Sequence, residues 1–280
     1  MLAKIVKLNN GLTIPFMGLG TWELTNAAEV VKEALKAGYR CIDTAVLYGN
    51  ERSCAEGIKQ WISEDPANNR RQDVYYITKL WTNQMGYEKA KKAIAECLDR
   101  IQGLEYIDLL LIHAPTPGKQ MRLETYKAIQ EAVDAGVVKS IGVSNYGIAH
   151  VKELLSWPGL KHKPVANEIE VSPWCMRQEL CDYCLSQDIQ VIAFAPFSHA
   201  NRINDPDAVS IAEKKGVTPA QVLIRWSVQK GYIPIPKTKT LSRLPTNLDV
   251  LSFELSKEEL AQLDHPDVHD PSDWEVTTCP

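Results

Sequence analysis

Short apolar runs alternate with longer amphipathic segments along most of this chain. Residues 3–8 and 12–14, joined through Asn9-Asn10-Gly11, predict a β-hairpin, because Asn-Gly suits its tight turn. Eight strand-like runs follow, at 16–20, 40–43, 74–79, 106–113, 138–144, 164–169, 189–195 and 232–235. Between them, residues 26–37, 87–101, 123–135 and 218–229 carry apolar side chains at helical spacing. Gly38, Gly103, Gly136 and Gly231 stand where those helices stop, and Thr218-Pro219 supplies a cap and a first-turn proline. Strands separated by crossover helices make a parallel sheet, and eight is the number that closes one. The expected fold is a single α/β domain over residues 1–280, a (β/α)8 TIM barrel with an N-terminal β-hairpin. An open doubly wound sheet is the alternative. It would normally carry an early G-x-G-x-x-G, and the nearest match, Gly18-Leu19-Gly20-Thr21-Trp22-Glu23, lacks the third glycine.

Composition narrows the function. With 45% hydrophobic and 24% charged residues the chain is neither disordered nor a disulfide scaffold. A net charge of −4 without a basic patch points away from nucleic acid. No apolar run approaches membrane-spanning length, and residues 1–10 lack the apolar core of a signal peptide. The seven cysteines have no framework spacing. Cys181-x-x-Cys184, with Cys175 close by, has no second ligand pair, so the three read as small apolar members of a packed helix and imply a reducing, cytoplasmic setting. No metal is expected.

In a barrel, chemistry sits at the carboxyl ends of strands. Those ends hold Asp43, Lys79, His113, Ser144, Asn145 and Glu168. Asp43, Lys79 and His113 are about one strand–helix unit apart, so they are expected side by side at one mouth, with Tyr48 in the loop above. A tyrosine can give a proton to a developing alkoxide. A neighbouring ammonium lowers its pKa, an aspartate holds that ammonium in place, and a histidine can bond the substrate oxygen. Taken singly, each has a structural alternative: an ion pair for Asp43 and Lys79, a core histidine for His113, a loop anchor for Tyr48. Tyr75-x-x-x-Lys79 and Tyr87-x-x-x-Lys91 match another reductase motif by accident. The first lies along a strand, where four residues span roughly 13 Å. The second has no glycine-rich loop beside it.

Six longer motifs, GLGTW at 18–22, DTAVLYGNE at 43–51, TKLW at 78–81, LLLIHAP at 109–115, VKSIGVSN at 138–145 and PIPKT at 234–238, resemble the aldo-keto reductase family across essentially the whole chain. Its short fungal members of the xylose/arabinose-reductase type are the most similar. The resemblance implies NADPH-dependent reduction of aldehydes and reactive ketones (aldoses, α-dicarbonyls, α-keto esters), with hydride passing directly from the cofactor and NADH a weaker substitute. It makes Tyr48 the general acid, Lys79 and Asp43 its tuning pair and His113 the group that orients the carbonyl.

For the cofactor the resemblance implies Gly20, Thr21, Trp22 and Asp43, then Ser144 and Asn145 on the carboxamide. Glu168 stands beside them where the family has glutamine. A carboxylate there accepts but cannot donate, and it would favour the oxidised ring. Phe194 matches the stacking aromatic, and Ala195 and Phe197 the pyrophosphate stretch. Lys237, Thr238, Arg243 and Asn247 match the adenosine phosphate site. Trp22, Tyr48, Trp81, His113 and Trp274 are expected to wall the substrate site, with Trp174 a further candidate. Ala114, where relatives often have tryptophan, is expected to widen it. The strap at 198–206 is short, and the proline-rich tail at 265–280 is expected across the mouth. The expected partner is a small carbonyl compound and the expected state a monomer. The competing classes are a metal-dependent barrel hydrolase and a cofactor-binding regulator with little turnover.

Overall fold

The computed structural model describes residues 5–280. Two of the residues expected in the first strand, Ala3 and Lys4, lie outside it. The hairpin pairs β1 (Ile5–Lys7) with β2 (Thr13–Pro15). The chain then runs β3 (Leu19–Gly20), α1 (Ala27–Ala37), β4 (Cys41–Asp43), α2 (Glu51–Glu64), β5 (Tyr75–Leu80), α3 (Tyr87–Arg100), β6 (Ile107–Ile112), α4 (Lys119–Asp134), β7 (Val138–Ser144), α5 (Ile148–Leu155), β8 (Ala166–Glu170), α6 (Gln178–Ser186), β9 (Gln190–Phe194), α7 (Pro206–Lys215), α8 (Pro219–Gln229), β10 (Ile233–Pro234), α9 (Arg243–Leu248) and α10 (Lys257–Leu263). The eight strands from β3 to β10 are parallel and lie in chain order. Gly18 N–H donates to the Pro234 carbonyl at 3.0 Å and Gly20 N–H to that of Pro236 at 3.1 Å, which joins the first strand to the last. Pro234 and Pro236 have no N–H to return, so β10 stays at two residues.

Strand alternation sorts the side chains into two cores. Cys41, Tyr75, Ile77, Leu109, Leu111, Ala166, Ile192 and Ile233 fill the barrel interior. Their neighbours Ile42, Tyr76, Leu80, Leu110, Ile169 and Val191 pack outward against the helices. The hairpin plugs the bottom. Leu8 and Ile14 join the interior cluster, and Asn9 Nδ2 donates to the carbonyls of Pro164 and Asp188 at 2.8 and 2.9 Å.

Local signals explain the helices. α1 turns Val30, Val31, Ala34 and Leu35 inward and ends at Gly38, whose φ of 109° is cheap only for glycine. α8 opens with a capping box between Thr218 and Gln221 around Pro219. Two expectations need correction. α4 begins at Lys119 rather than at 123, because the left-handed Gly118 ends the loop. Cys181 and Cys184 are buried on α6, but Cys175 precedes that helix, in an isolated bridge with Ser172 and His269. A positive φ of 44° at Arg177 separates the two.

Gly142, midway along β7, tests the tight interior. A β-carbon there would come within 2.6 Å of the Ala166 carbonyl oxygen and 2.8 Å of the Leu111 side chain. Gly142→Ala should lower unfolding stability by about 1–3 kcal/mol in a urea titration, through overpacking against backbone that cannot yield.

Candidate active site

The same alternation, carried one step past the core, sets out the mouth. Inward positions continue from Cys41 to Asp43, from Ile77 to Lys79, from Leu111 to His113 and from Ala166 to Glu168. All four are buried. Tyr48 ends a short helical turn at Val46–Tyr48, stopped by the left-handed Gly49. Its loop is held from below. Thr44 Oγ1 donates to Asn50 Oδ1 at 2.7 Å, Asn50 Nδ2 to the Thr21 carbonyl at 2.8 Å, and Thr21 Oγ1 to the Asp43 carbonyl at 2.8 Å. Sequence reasoning assigned Asn50 no role, although it stands inside the quoted DTAVLYGNE motif.

Lys79 Nζ is the hub. It lies 2.6 Å from Asp43 Oδ1, 3.0 Å from the Thr44 carbonyl, 3.2 Å from Glu168 Oε1 and 3.5 Å from the Tyr48 hydroxyl. Burial alone would lower the Lys79 pKa, but the charges of Asp43 and Glu168 outweigh it and raise it. Burial raises the Tyr48 pKa above the usual tyrosine range. The ammonium pulls it down without prevailing, and the two carboxyls add to the rise. Burial, then the Asp43 charge, lift Glu168 to about 8. Burial and the nearby ammonium hold His113 well below the usual histidine value, so it is neutral at pH 7, and its Nδ1 has no partner.

Above this cluster opens a cleft of about 470 Å³. Gly20, Trp22, Asp43, Tyr48, Trp81, His113, Ser144, Asn145, Glu168, Phe194, Ala195, Phe197, Lys237 and Trp274 line it. Glu23, Leu47, Pro196, His199, Ala200, Ile235 and Asp273 line it too, without having been singled out from sequence. Lys79 lies buried beneath the floor. Thr21, Ala114, Thr238, Arg243, Asn247 and Trp174 are not on its surface. Ala114 is fully buried, so nothing of it opens into the cleft, and Trp174 stacks on His265 instead. The Trp22 and Tyr48 rings meet edge-on at 4.9 Å, as do those of Trp81 and His113. Trp274 packs on Trp81 at 5.4 Å.

Trp274 comes from the tail, which is firmly anchored. Glu170 accepts from Ser272 N and Oγ at 2.7 and 2.6 Å and from Asp273 N at 3.1 Å. Arg177 pairs with Glu275 at 2.7 Å, and Arg122 Nη1 donates to the Pro280 carbonyl at 2.9 Å. Among the described residues no three His, Cys, Asp or Glu side chains converge as a metal site, and no helix is long and apolar enough to cross a membrane.

The profile described as Aldo/keto reductase family matches residues 16–267. The chain belongs to the aldo/keto reductase family. An uncharacterized oxidoreductase of Saccharomyces cerevisiae is 55% identical, with both chains covered in full. The glyoxal reductase of Bacillus subtilis is 38% identical over 94% of this chain and 92% of its own. Among solved structures, an aldo-keto reductase from a Medee basin deep-sea metagenome library superposes with a TM-score of 0.91 at 34% identity, covering 99% of this chain and 100% of that one. A Bombyx mori aldo-keto reductase in complex with NADP superposes at 0.87 with 33% identity, covering 94% and 92%.

Aldo-keto reductases use nicotinamide cofactors, and the residues of this one fit such a group. Glu168 Oε2 is buried without a partner beside the cleft, a polar atom left open for a group such as a carboxamide. Asn145 Nδ2 already donates to the His113 carbonyl at 3.0 Å and to Ser144 Oγ at 3.2 Å, which leaves its oxygen as an acceptor. A β-carbon at Gly20 would meet the Ile235 carbonyl oxygen at 2.8 Å, so glycine here lets the first and last strands close together at the cleft wall.

The hub makes a stability prediction. Lys79→Met leaves two buried carboxyls without a cation and should cost about 3–5 kcal/mol. Both carboxyls then bind protons more tightly in the folded than in the unfolded chain, so stability falls as pH rises. Chemical denaturation should therefore show a larger loss at pH 8 than at pH 5.

Proposed function

We propose that this protein is an NADPH-dependent reductase of aldehydes and reactive ketones, with Tyr48 as general acid. The observation that carries this reading is the Lys79 ammonium, buried between Asp43 and the Tyr48 hydroxyl at the floor of an aromatic-walled cleft. Bound in that cleft, the reduced nicotinamide supplies the hydride. Tyr48, still protonated at neutral pH, gives its proton to the oxygen as charge develops there, and the nearby ammonium stabilises the phenolate left behind. Neutral His113, edge-on to Tyr48 with centroids 5.7 Å apart, donates to the same oxygen and fixes the carbonyl between the two. Trp22, Trp81 and Trp274 exclude water and favour flat or apolar substituents.

Ser144, Asn145 and Glu168 would hold the carboxamide, Phe194 would stack on the ring, and Ala195 and Phe197 would border the pyrophosphate. Lys237, Thr238 and Arg243 would take the 2′-phosphate and Asn247 the adenine. In the structure Lys237 pairs with exposed Glu23 at 3.3 Å, a contact that a phosphate would readily replace. Aldoses, α-dicarbonyls and α-keto esters are the substrate classes. The Bacillus subtilis glyoxal reductase supports the second, and the NADP complex of the Bombyx mori relative supports the cofactor. The working form is one barrel domain per chain, a monomer, in the cytoplasm, where its buried free thiols stay reduced.

The direct test follows NADPH absorbance with xylose, glyoxal, an α-keto ester and an aromatic aldehyde. Tyr48→Phe should lower turnover at least about 100-fold while NADPH binding is kept. Binding without turnover in the unaltered protein would overturn the catalytic reading. Lys237→Ala should weaken NADPH about tenfold and leave NADH nearly unchanged in fluorescence titrations, since a charge-assisted bond to phosphate is lost.

A further inference from the structure

An ammonium has three N–H donors. Four oxygens surround that of Lys79, at 2.6 Å (Asp43), 3.0 Å (Thr44), 3.2 Å (Glu168) and 3.5 Å (Tyr48). The three N–H groups go to Asp43, the Thr44 carbonyl and, at the longest reach, Tyr48, while Glu168 Oε1 stands within ion-pair range without a hydrogen bond, placed to displace Tyr48. We infer that Glu168 is a positioning residue that competes with Tyr48 for the Lys79 ammonium and releases it to the acid only while Glu168 keeps its own proton. The inference rests on the reductase reading above and adds to it a control on the acid.

Charge and burial support it. One ammonium cannot neutralise two carboxylates, and a buried excess charge is costly. Asp43, the closer of the two, holds the negative charge, and Glu168 holds the proton. Glu168 Oε2 has no partner and is fully buried, a place for a neutral hydroxyl and a poor place for a bare charge. The titratable groups facing Glu168 come from three neighbours: Cys41 and Asp43 on β4, Tyr48 in the loop above, and Lys79 on β5. The flanking strands offer only uncharged Ser144 and Phe194, with neutral His113 across the cleft. Asp43 and burial both hold the Glu168 proton on, with a midpoint of about 8. Above that pH an anionic Glu168 takes the third N–H, the Tyr48 phenolate loses its stabilising contact, and Tyr48 becomes a weaker acid. Glutamine in this place keeps the acceptor oxygen but cannot titrate.

The experiment compares Glu168→Gln with the unaltered protein. The turnover rate of NADPH with a saturating carbonyl should fall about tenfold per pH unit above pH 8 in the unaltered protein. In Glu168→Gln that limb should move up by at least about one pH unit. Independently of turnover, calorimetry of NADP+ binding at pH 7 in two buffers of different ionisation enthalpy counts released protons. The unaltered protein should release a large fraction of one proton as the cationic ring draws Glu168 into ionisation, and Glu168→Gln essentially none. If the variant does not fold, carboxyl-13C glutamate NMR on the unaltered protein decides. One glutamate must titrate well above the rest. An unmoved limb, equal proton release, or no high-titrating glutamate would each overturn the inference. If the reductase reading itself fails, neither protein turns over any carbonyl, and proton release and NMR still decide the state of Glu168.

Discussion

The ammonium of Lys79 is buried as deeply as any aliphatic side chain in the barrel, and the rest of the mouth follows from that. A charge so placed is tolerable only with close partners of opposite sign and a full set of acceptors. Asp43 supplies the first and the Thr44 carbonyl the second. Both come from one strand end, so the chain must leave β4 in a fixed direction. The 3₁₀ turn that carries Tyr48 starts there. The position of Tyr48 is thus a consequence of satisfying the ammonium beneath it.

Strand register does the remaining positioning. Asp43 pairs with Ile77, and Lys79 lies two residues beyond; Lys79 pairs with Leu111, and His113 lies two residues beyond. Each step climbs by one inward position, the stagger that a closed, tilted barrel demands. Lys79 bridges the step by reaching back along its four-carbon stem to Asp43. His113 stands one level higher, against the cleft. Glu168 pairs with Ser144 across β7 and β8 and enters from the far side of the ring. Groups from distant parts of the chain therefore meet at one point, four of them from strand ends and Tyr48 from the short turn clamped by Asn50.

That regularity is why so much was legible in the sequence. Inward alternation and strand-end position are one-dimensional patterns, and they located Asp43, Lys79, His113 and Glu168 before any coordinates. Interactions that depend on how distant segments pack were not legible. Nothing local marks Asn50 as the clamp under Tyr48, or Glu170 as the anchor of Ser272 and Asp273 some hundred residues later. Ala114 itself is buried away from the cleft, and the tail brings Trp274 to the wall beside Trp81, a contact across the chain that no local pattern marks. The start of α4 was missed because Gly118 could be read as a loop residue, whereas its positive φ launches the helix.

The two segments that cover the cleft are held by different physics. The tail is fastened by buried partners: Glu170 and Arg122 are nearly inaccessible, and the Arg177 side chain is 6% exposed. Among the described residues the ion pairs that tie the strap to the tail are surface ones, Arg202 to Asp270 at 2.6 Å and His199 to Asp273 at 3.7 Å. Exposed pairs contribute at most about 1 kcal/mol and weaken with salt, whereas uncoupling a buried one costs several times more. The strap also carries left-handed backbone at Ser198, His199 and Ala200, conformations that non-glycine residues hold only under constraint. Less free energy therefore opposes displacement of the strap than of the tail.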